Sequence, residues 1–306
     1  MTEFLIVLNK DDDSISIIDI AQGSEIKRIL CDHNPHEVVV MKTKPKAYIT
    51  CSGGNTINVL DLDTFEIIKR IEHPDFKFPH GVGLTQDEAT LFMASTRSGR
   101  VFLIDTSTDE VEKVLFTHQA STHMISLSPD GSTVYVANIA SNNVTVIDVK
   151  SESIITHIPV GRGPEGVAVN PKGNHLYVAN QHDNDLTVLD AITYEVLYRR
   201  KIGSLPIRLV FSPDGKYALI PNRESGDLSI IETEHTLQGE TRPWEVKRIR
   251  VGVWPGGVVF NHDGSKAYVA NNKDNDISII DISTLKETGR IDAGTHPDGI
   301  AYYISK

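Results

Sequence analysis

The sequence lacks most features that mark disulfide-rich, nucleic-acid-binding or membrane-spanning proteins. It has only two cysteines, Cys31 and Cys51, which are too few for a disulfide framework, although one bridge between them remains open. Basic residues are in the minority, with 30 Lys and Arg against 41 Asp and Glu. The formal net charge of −11 repels phosphate backbones and anionic lipids, and no run of Lys and Arg offsets it. We therefore expect no nucleic acid and no membrane as a partner.

Long hydrophobic runs are absent as well. The apolar stretch near the N-terminus covers residues 4–8 only, and no basic segment precedes it. Such a stretch is too short for a signal peptide or a membrane span. With so few cysteines, a reducing compartment is the simpler expectation. We predict a cytoplasmic protein, unless a signal peptide has been removed from a longer precursor.

A repeat of slightly more than forty residues runs through the chain. One marker is an alternating apolar strand that ends in an acidic residue, and successive acids are 42, 44, 43, 42, 42 and 49 residues apart. These acids are Asp19, Asp61, Asp105, Asp148, Asp190, Glu232 and Asp281. The other markers are an extended stretch such as Tyr-Val-Ala-Asn, a Pro-x-Gly segment before an apolar strand, and a tight turn such as Ser-Pro-Asp-Gly. A period of this length indicates a repeat architecture.

Residues within each unit alternate between apolar and polar at the period of a β-strand, and no stretch has a convincing helical period. Four short strands per unit and seven units predict an all-β fold, a seven-bladed β-propeller with four antiparallel strands per blade. Both ends of the chain carry incomplete units. We predict that the C-terminal strand is the innermost strand, A, of the last blade and that the N-terminal strands supply B, C and D. Residues 1–306 then form a single domain.

The repeat markers resemble those of the YVTN-repeat β-propellers. Tyr-Val-Ala-Asn at 135–138, 177–180 and 268–271 and Pro-x-Gly-Val-Ala-Val at 164–169 carry the resemblance, which covers essentially the whole chain. That family includes surface-layer modules, YncE-like proteins and lactonase-like propellers. The resemblance implies the fold and leaves the function open, since one architecture hosts many functions.

Propeller geometry predicts which side chains meet at the mouth of the central channel. The residue before the Gly of Pro-x-Gly begins strand A, nearest the axis, in every blade. In chain order these residues are His36, His80, His123, Glu165, Ile207, Gly256 and Asp298. The three histidines and two acids form a candidate site for a divalent metal (Zn, Cu, Fe or Mg) and equally a candidate set of general acids and bases. The alternative is that these positions are polar only because the mouth is wet.

Arg208 is an exception within the repeat, because it occupies a position where neighbouring units have Gly166 and Gly257. Exceptions of this kind tend to be functional. We predict that Arg208 orients an anionic substrate beside the catalytic candidates, which are His80, His123 and Glu165. A wider rim of candidate substrate contacts consists of Phe78, Arg97, His182, Arg223, Trp254 and His296. For the two rim arginines, an ordinary solvated loop charge is the alternative.

Two insertions interrupt the period. Residues 72–80 lengthen the loop before His80 and are expected to place two aromatic side chains, Phe76 and Phe78, beside the mouth. Residues 232–248 lengthen an outer hairpin of blade five. That hairpin is a candidate contact for a protein partner, or simply a long hairpin of the kind that outer turns tolerate.

Three functions fit these features. The first is binding of a small-molecule ligand or a divalent metal at the channel mouth, with a metal-assisted lactonase or lyase as its catalytic form. The second is a non-catalytic protein-interaction scaffold. The third is a metal or heme carrier. Against heme stand the absence of a Cys-x-x-Cys-His motif and the seven predicted blades, because the heme-d1 propellers have eight.

Overall fold

The structure is a computed structural model that describes residues 1–237 and 239–305. Within these residues all regular secondary structure is β-strand, so no helix is long and apolar enough to cross a membrane. The strands form seven four-stranded antiparallel sheets, which are the blades of a propeller. The predicted fold class is therefore confirmed.

The blades follow the chain, beginning with the outer part of blade seven. Its strands are β1 (Glu3–Asn9), β2 (Ser14–Asp19) and β3 (Ser24–Leu30). Blade one consists of β4 (Pro35–Val40), β5 (Lys46–Cys51), β6 (Thr56–Asp61) and β7 (Glu66–Glu72). Blade two consists of β8 (Pro79–Leu84), β9 (Thr90–Ser95), β10 (Arg100–Asp105) and β11 (Glu110–Phe116). Blade three consists of β12 (Thr122–Leu127), β13 (Thr133–Asn138), β14 (Asn143–Asp148) and β15 (Ser153–Pro159).

The second half of the chain repeats this order. Blade four consists of β16 (Pro164–Val169), β17 (His175–Asn180), β18 (Asp185–Asp190) and β19 (Val196–Lys201). Blade five consists of β20 (Val210–Phe211), β21 (Tyr217–Asn222), β22 (Asp227–Leu237) and β23 (Glu240–Arg250). Blade six consists of β24 (Pro255–Phe260), β25 (Lys266–Asn271), β26 (Asp276–Asp281) and β27 (Lys286–Asp292). The last strand is β28 (Pro297–Ile304).

The two ends of the chain close the ring, as the incomplete terminal units predict. Strand β28 pairs with β1 in antiparallel register, with Val7 opposite Ile300 and Ile6 opposite Ala301. The sheet order is β28-β1-β2-β3, so the C-terminal strand is strand A of blade seven. This pairing removes two sheet edges that would otherwise be free to pair with another chain.

Apolar side chains on facing blades form the core. A tyrosine is fully buried in the Tyr-Val-Ala-Asn segments at Tyr177 and Tyr268 and at the equivalent position of blade one, Tyr48. The Tyr48 hydroxyl donates to Asp109 Oδ1 of the next blade over 2.6 Å, which satisfies its polar end. The predicted alternation thus places an aromatic ring between neighbouring sheets in these three units. Both cysteines are free thiols, so the bridge that the sequence left open is not formed.

Entry into strand A has the same backbone conformation in every blade. The residue before the Pro (or Thr122) of each Pro-x-Gly segment has φ between 54° and 66°. These residues are Asn34, Phe78, Ser121, Gly163, Leu205, Trp254 and His296. Six of the seven carry a side chain in the left-handed region, which is uncommon for residues other than glycine. The residue two positions after this turn lies at the channel mouth, as His36 and Asp298 show.

Blade five departs from this pattern. Its inner strand is reduced to Val210–Phe211, preceded by an isolated bridge between Pro206 and Asn222. Arg208 lies in the gap with φ of 51°. In blade four a Cβ at Gly166 would lie 2.5 Å from the Arg208 carbonyl oxygen, so neighbouring inner strands approach too closely for a side chain there.

The two insertions differ in outcome. Phe76 is buried and packs edge-on against Phe102, with ring centroids 4.7 Å apart, so the prediction that two aromatics flank the mouth is wrong for Phe76. Phe78 does lie at the mouth. Strands β22 and β23 extend the blade-five hairpin to 11 residues each. Gln238, within the predicted 232–248 insertion, is outside the described residues.

Candidate functional site

The histidines predicted to begin strand A lie side by side at the channel mouth, where His80 and His123 stack and the His36 ring is tilted by 51° to that of His80. The ring centroids of His36 and His80 are 4.3 Å apart, and those of His80 and His123 are 3.6 Å apart with an interplanar angle of 28°. Phe78 lies parallel to His80 at 6.1 Å. Burial lowers the pKa of all three histidines below the ordinary value of 6.5, so they are neutral at pH 7.

Arg208 lies at the centre of the site, where its side chain is almost fully buried, with 5% of the residue exposed. Its guanidinium contacts three carboxylates that come from other blades. Nη1 lies 2.5 Å from Glu165 Oε1, Nη2 lies 3.3 Å from Asp298 Oδ1, and Nη2 also pairs with Glu37 Oε1. The Arg208 backbone N–H donates to Glu165 Oε2 over 2.8 Å. Burial would lower the pKa of Arg208, but the three carboxylates raise it above its usual range.

Two of these carboxyl groups are held ionised. Burial would raise the pKa of Glu165, but Arg208 and His123 lower it to about 2. Burial opposes ionisation of Asp298 in the same way, and His36, Arg223 and Arg208 hold the pKa of that carboxyl well below its usual range. Both groups therefore carry negative charge at neutral pH.

Glu37 behaves differently and was not among the predicted site residues. Its burial raises the pKa to about 7, against the opposing effect of Arg208. The carboxyl also lies 4.0 Å from His80 Nδ1. The signal that could have found it is the one that found Arg208, because Glu37 also replaces the Gly of a Pro-x-Gly segment.

Two further cations complete the charge balance. Lys10 Nζ lies 3.6 Å from Asp298 Oδ2, and Arg223 Nη2 lies 3.5 Å from Asp298 Oδ1. With Arg208 they make three cations, which match the three carboxylates when Glu37 is ionised. The site is thus electrically neutral at slightly alkaline pH, although each charge is largely removed from water.

A hydroxyl, an imidazole and a carboxylate lie in line at the edge of the site. Thr96 Oγ1 is 3.0 Å from His123 Nδ1, and His123 Nε2 is 3.6 Å from Glu165 Oε1. The ionised Glu165 favours the tautomer with the proton on Nε2, which leaves Nδ1 to accept from the Thr96 hydroxyl. Thr96 is partly exposed and borders a surface cavity of about 650 Å³. No pattern in the sequence pointed to Thr96.

A similar line of groups lies deeper in the mouth. Ser52 Oγ is 3.2 Å from His36 Nδ1, and His36 Nε2 is 3.6 Å from Asp298 Oδ2. Ser52 also contacts Asn34 Oδ1 at 2.6 Å and is only 2% exposed. This hydroxyl is therefore already engaged and less accessible than Thr96.

The remaining predicted rim residues surround the site without joining it. Arg97 is exposed and lies over the Phe78 ring, with its guanidinium carbon 4.8 Å from the centroid. Trp254 is 43% exposed and lies beside Arg223, which reaches inward to the site. His182 is exposed to solvent, and one side of its ring lies beside Gly163. His296 Nδ1 pairs with Asp11 Oδ2 at 2.5 Å.

The ring geometry bears on the predicted metal site. Stacked imidazoles present their faces to one another, whereas metal ligation requires ring nitrogens directed at one point about 2.0 to 2.1 Å away. Among residues 1–237 and 239–305, no group of three or more His, Cys, Asp and Glu side chains is arranged to hold a metal ion. The groups in place are suited to proton transfer and to binding of polar molecules.

Solved structures with the same fold have diverse roles. The structure of a functionally unknown protein from Desulfotomaculum acetoxidans superposes with a TM-score of 0.84 at 16% identity, covering 98% of each chain. Hydrazine synthase from Kuenenia stuttgartiensis gives a TM-score of 0.79 at 20% identity, covering 89% of this chain and 90% of the other. The periplasmic gluconolactonase PpgL from Pseudomonas aeruginosa gives 0.79 at 18% identity, covering 99% of each. These likenesses show the fold alone.

Sequence comparison identifies the family. No curated protein matches the chain. A family model described as YncE-like beta-propeller matches residues 45–305, which is most of the sequence. The chain belongs to the YncE-like β-propeller family.

Proposed function

We propose that the channel mouth is the active site of a hydrolase for small cyclic esters, with Thr96, His123 and Glu165 as its reacting groups. The observation that carries the proposal is the contact between Thr96 Oγ1 and His123 Nδ1 at 3.0 Å, with Glu165 behind the imidazole. A hydroxyl activated by a neutral imidazole, itself oriented by a carboxylate, is the arrangement that acyl transfer needs. The gluconolactonase with the same fold acts on a lactone, which supports this substrate class.

The reaction follows from these positions. Thr96 Oγ1 attacks the lactone carbonyl carbon while its proton moves to His123 Nδ1, and Glu165 stabilises the imidazolium. The ring C–O bond then breaks, and the alkoxide takes the proton from His123, which leaves an ester on Thr96. Water hydrolyses this ester with His123 again accepting the proton. Arg97 is the next residue and is exposed, so its charge is available to the carbonyl oxygen as negative charge develops.

Arg208 has a supporting role in this proposal. Its three carboxylate partners leave the guanidinium committed to the protein, so orienting an anionic substrate falls to the exposed Arg97. Arg208 instead holds Glu165 behind His123. A residue that acts in this way is a positioning residue.

The test is hydrolysis of small lactones such as gluconolactone, followed by proton release at constant pH. We expect His123→Gln to lower kcat/KM at least about 100-fold, the usual size of a general-base contribution. We expect Thr96→Val to lower kcat/KM by a similar factor. Thr96→Ser, which keeps the hydroxyl group, should retain most of the wild-type kcat/KM. The control is His262→Gln, which changes an exposed histidine in the turn between β24 and β25. Full activity in a folded His123→Gln variant, or no hydrolysis above the uncatalysed rate, rejects the proposal.

A non-catalytic scaffold is the second candidate, and the blade-five hairpin favours it. Two arginines contact the Trp244 ring on β23, with the guanidinium carbon of Arg200 3.7 Å and that of Arg242 5.2 Å from the ring centroid. Aromatic and arginine side chains of this kind are frequent in protein interfaces. The scaffold predicts that a Trp244→Ala variant loses function in the cell while His123→Gln keeps it. The opposite result supports the hydrolase.

A further inference from the structure

The central channel has a second compartment beyond the polar cluster. It is a cavity of about 330 Å³ whose walls come from the inner strands. The apolar lining includes Val38, Val40, Met124, Leu209, Val259 and Ile300. These residues follow the site residues along their strands, so the compartment extends from the cluster toward the face opposite the mouth.

The size and the walls of this compartment fit a small apolar molecule. At roughly 30 Å³ for each water-sized group, the volume accommodates about ten non-hydrogen atoms. It lies at the lower end of the range of known ligand sites, and apolar cavities retain water poorly. An aliphatic chain of seven or eight carbons would therefore replace unfavourably placed water with apolar contacts.

One end of the compartment is polar. Glu37 and Arg208 line the cavity there, and they are paired with each other. The Glu37 side chain is 13% exposed, and the guanidinium of Arg208 is further committed to Glu165 and Asp298. The three carboxylates and three cations of the cluster balance, so a charged ligand would bring an uncompensated charge into a buried site.

We propose that this compartment binds a neutral aliphatic molecule that carries one hydroxyl group. Besides their ion pair, Glu37 Oε1 and Arg208 Nε are buried atoms that make no hydrogen bond within the described residues, and a hydroxyl can donate to the first and accept from the second. The apolar walls contact the chain. This site is separated from the Thr96 site by the buried cluster, and the inference does not depend on the proposed hydrolase.

Calorimetric titration with 1-octanol at pH 8 tests the proposal, since Glu37 is ionised above the pKa of about 7. We expect saturable binding with a negative heat-capacity change, the mark of apolar burial. Octanoate and octylammonium, which have the same chain length, should bind at least about tenfold more weakly. Val259→Phe fills the compartment and should abolish binding, whereas Val259→Ala should retain it. Val40→Phe provides a second blocked variant if the first does not fold.

Three results would each overturn the proposal. They are no binding of 1-octanol up to its solubility limit, equal binding of octanoate or octylammonium, and unchanged binding in a folded blocked variant. Loss of lactone hydrolysis in His123→Gln has no bearing on these results. The two proposals can therefore fail separately.

Discussion

Glu37 and Arg208 occupy the same position of the repeat in blades one and five, and their side chains pair across the central channel. Both replace a glycine that other blades retain at a close contact between inner strands. Three residues replace this glycine, namely Glu37, Met124 and Arg208. The two charged ones are thus partners, and they line the apolar compartment behind the cluster at the mouth. Removing either side chain should therefore alter both the cluster at the mouth and the apolar compartment.

Loss of the Arg208 guanidinium leaves three buried carboxylates without their shared partner. We expect Arg208→Met to lower the free energy of unfolding by about 3 to 5 kcal/mol, measured by urea denaturation at pH 8. The control Arg97→Met changes an exposed arginine and should stay within about 0.5 kcal/mol. Adding Glu37→Gln to Arg208→Met removes one unpaired charge and should recover more than about 1 kcal/mol. A single variant as stable as the wild type would show that the ion pairs contribute nothing.

Glu37 should make stability depend on pH in a definite direction. Its pKa is about 7 in the folded protein against an ordinary value of 4.5, so the folded state holds the proton more tightly. The stabilisation is complete below pH 4.5 and is lost as the pH rises through 7, by about 3 kcal/mol in total. Relative to Glu37→Gln, the wild type should lose nearly that amount between pH 5 and pH 8 in urea denaturation. A constant difference between the two proteins contradicts the prediction.

The buried histidines should act in the opposite direction. Burial keeps the pKa of His80 well below 6.5, so the unfolded chain takes up the proton first and stability falls as the pH drops below 6.5. The variant His80→Asn should lose less stability than the wild type between pH 7 and pH 5, as measured by the thermal midpoint. The control is His262→Asn, which changes an exposed histidine in the turn between β24 and β25 and should follow the wild-type curve. The prediction is wrong if the thermal midpoint falls equally in all three proteins between pH 7 and pH 5.

Gly299 tests the close approach of inner strands at the ring closure. An added Cβ would collide with the His36 carbonyl oxygen, so Gly299→Ala should cost about 1 to 3 kcal/mol of unfolding free energy. Gly289 on the outer strand β27 is the matched control, because the atom nearest to its added Cβ is 3.8 Å away. Gly289→Ala should be neutral or slightly stabilising. The comparison is made by urea denaturation, and equal effects at both glycines would argue against the close approach.

Metal analysis addresses the divalent-metal site that is one of the candidates from the sequence. From the stacked imidazoles we expect less than one equivalent of Zn, Cu, Fe or Mg per chain in protein purified without a histidine tag and supplied with these metals. Mass spectrometry of bound metal gives the measurement. One equivalent that disappears in a folded His80→Ala, His123→Ala double variant would establish the metal site instead.

Much of the architecture is readable from the sequence because each unit repeats the same local rules. The spacing of acids such as Asp148 and Asp190 predicts the blades, and the incomplete ends predict the pairing of β28 with β1. The register of Pro-x-Gly also identifies which side chains begin strand A. It does so because pseudo-symmetry converts a position in the repeat into a place at the channel mouth.

The contacts within the site were not predictable in the same way. Whether His80 and His123 stack or direct their nitrogens at a common point depends on rotamers and burial, which the repeat does not encode. The contact of Thr96 with His123 joins a loop of blade two to the inner strand of blade three. Phe76 was misplaced because the loop folds inward and buries one of its two aromatic rings against Phe102.

The pairing of β1 with β28 also sets the order of folding events. Val7 meets Ile300, so the contact that completes the ring joins residues from opposite ends of the chain. Blades one to six are built from consecutive strands, so each can form from local hairpins. The inner edge of β1, in contrast, stays unpaired until β28 has been synthesised and can pair with it. Contacts of such long sequence separation are slow to form. The final docking of β28 is therefore the expected rate-limiting step of refolding.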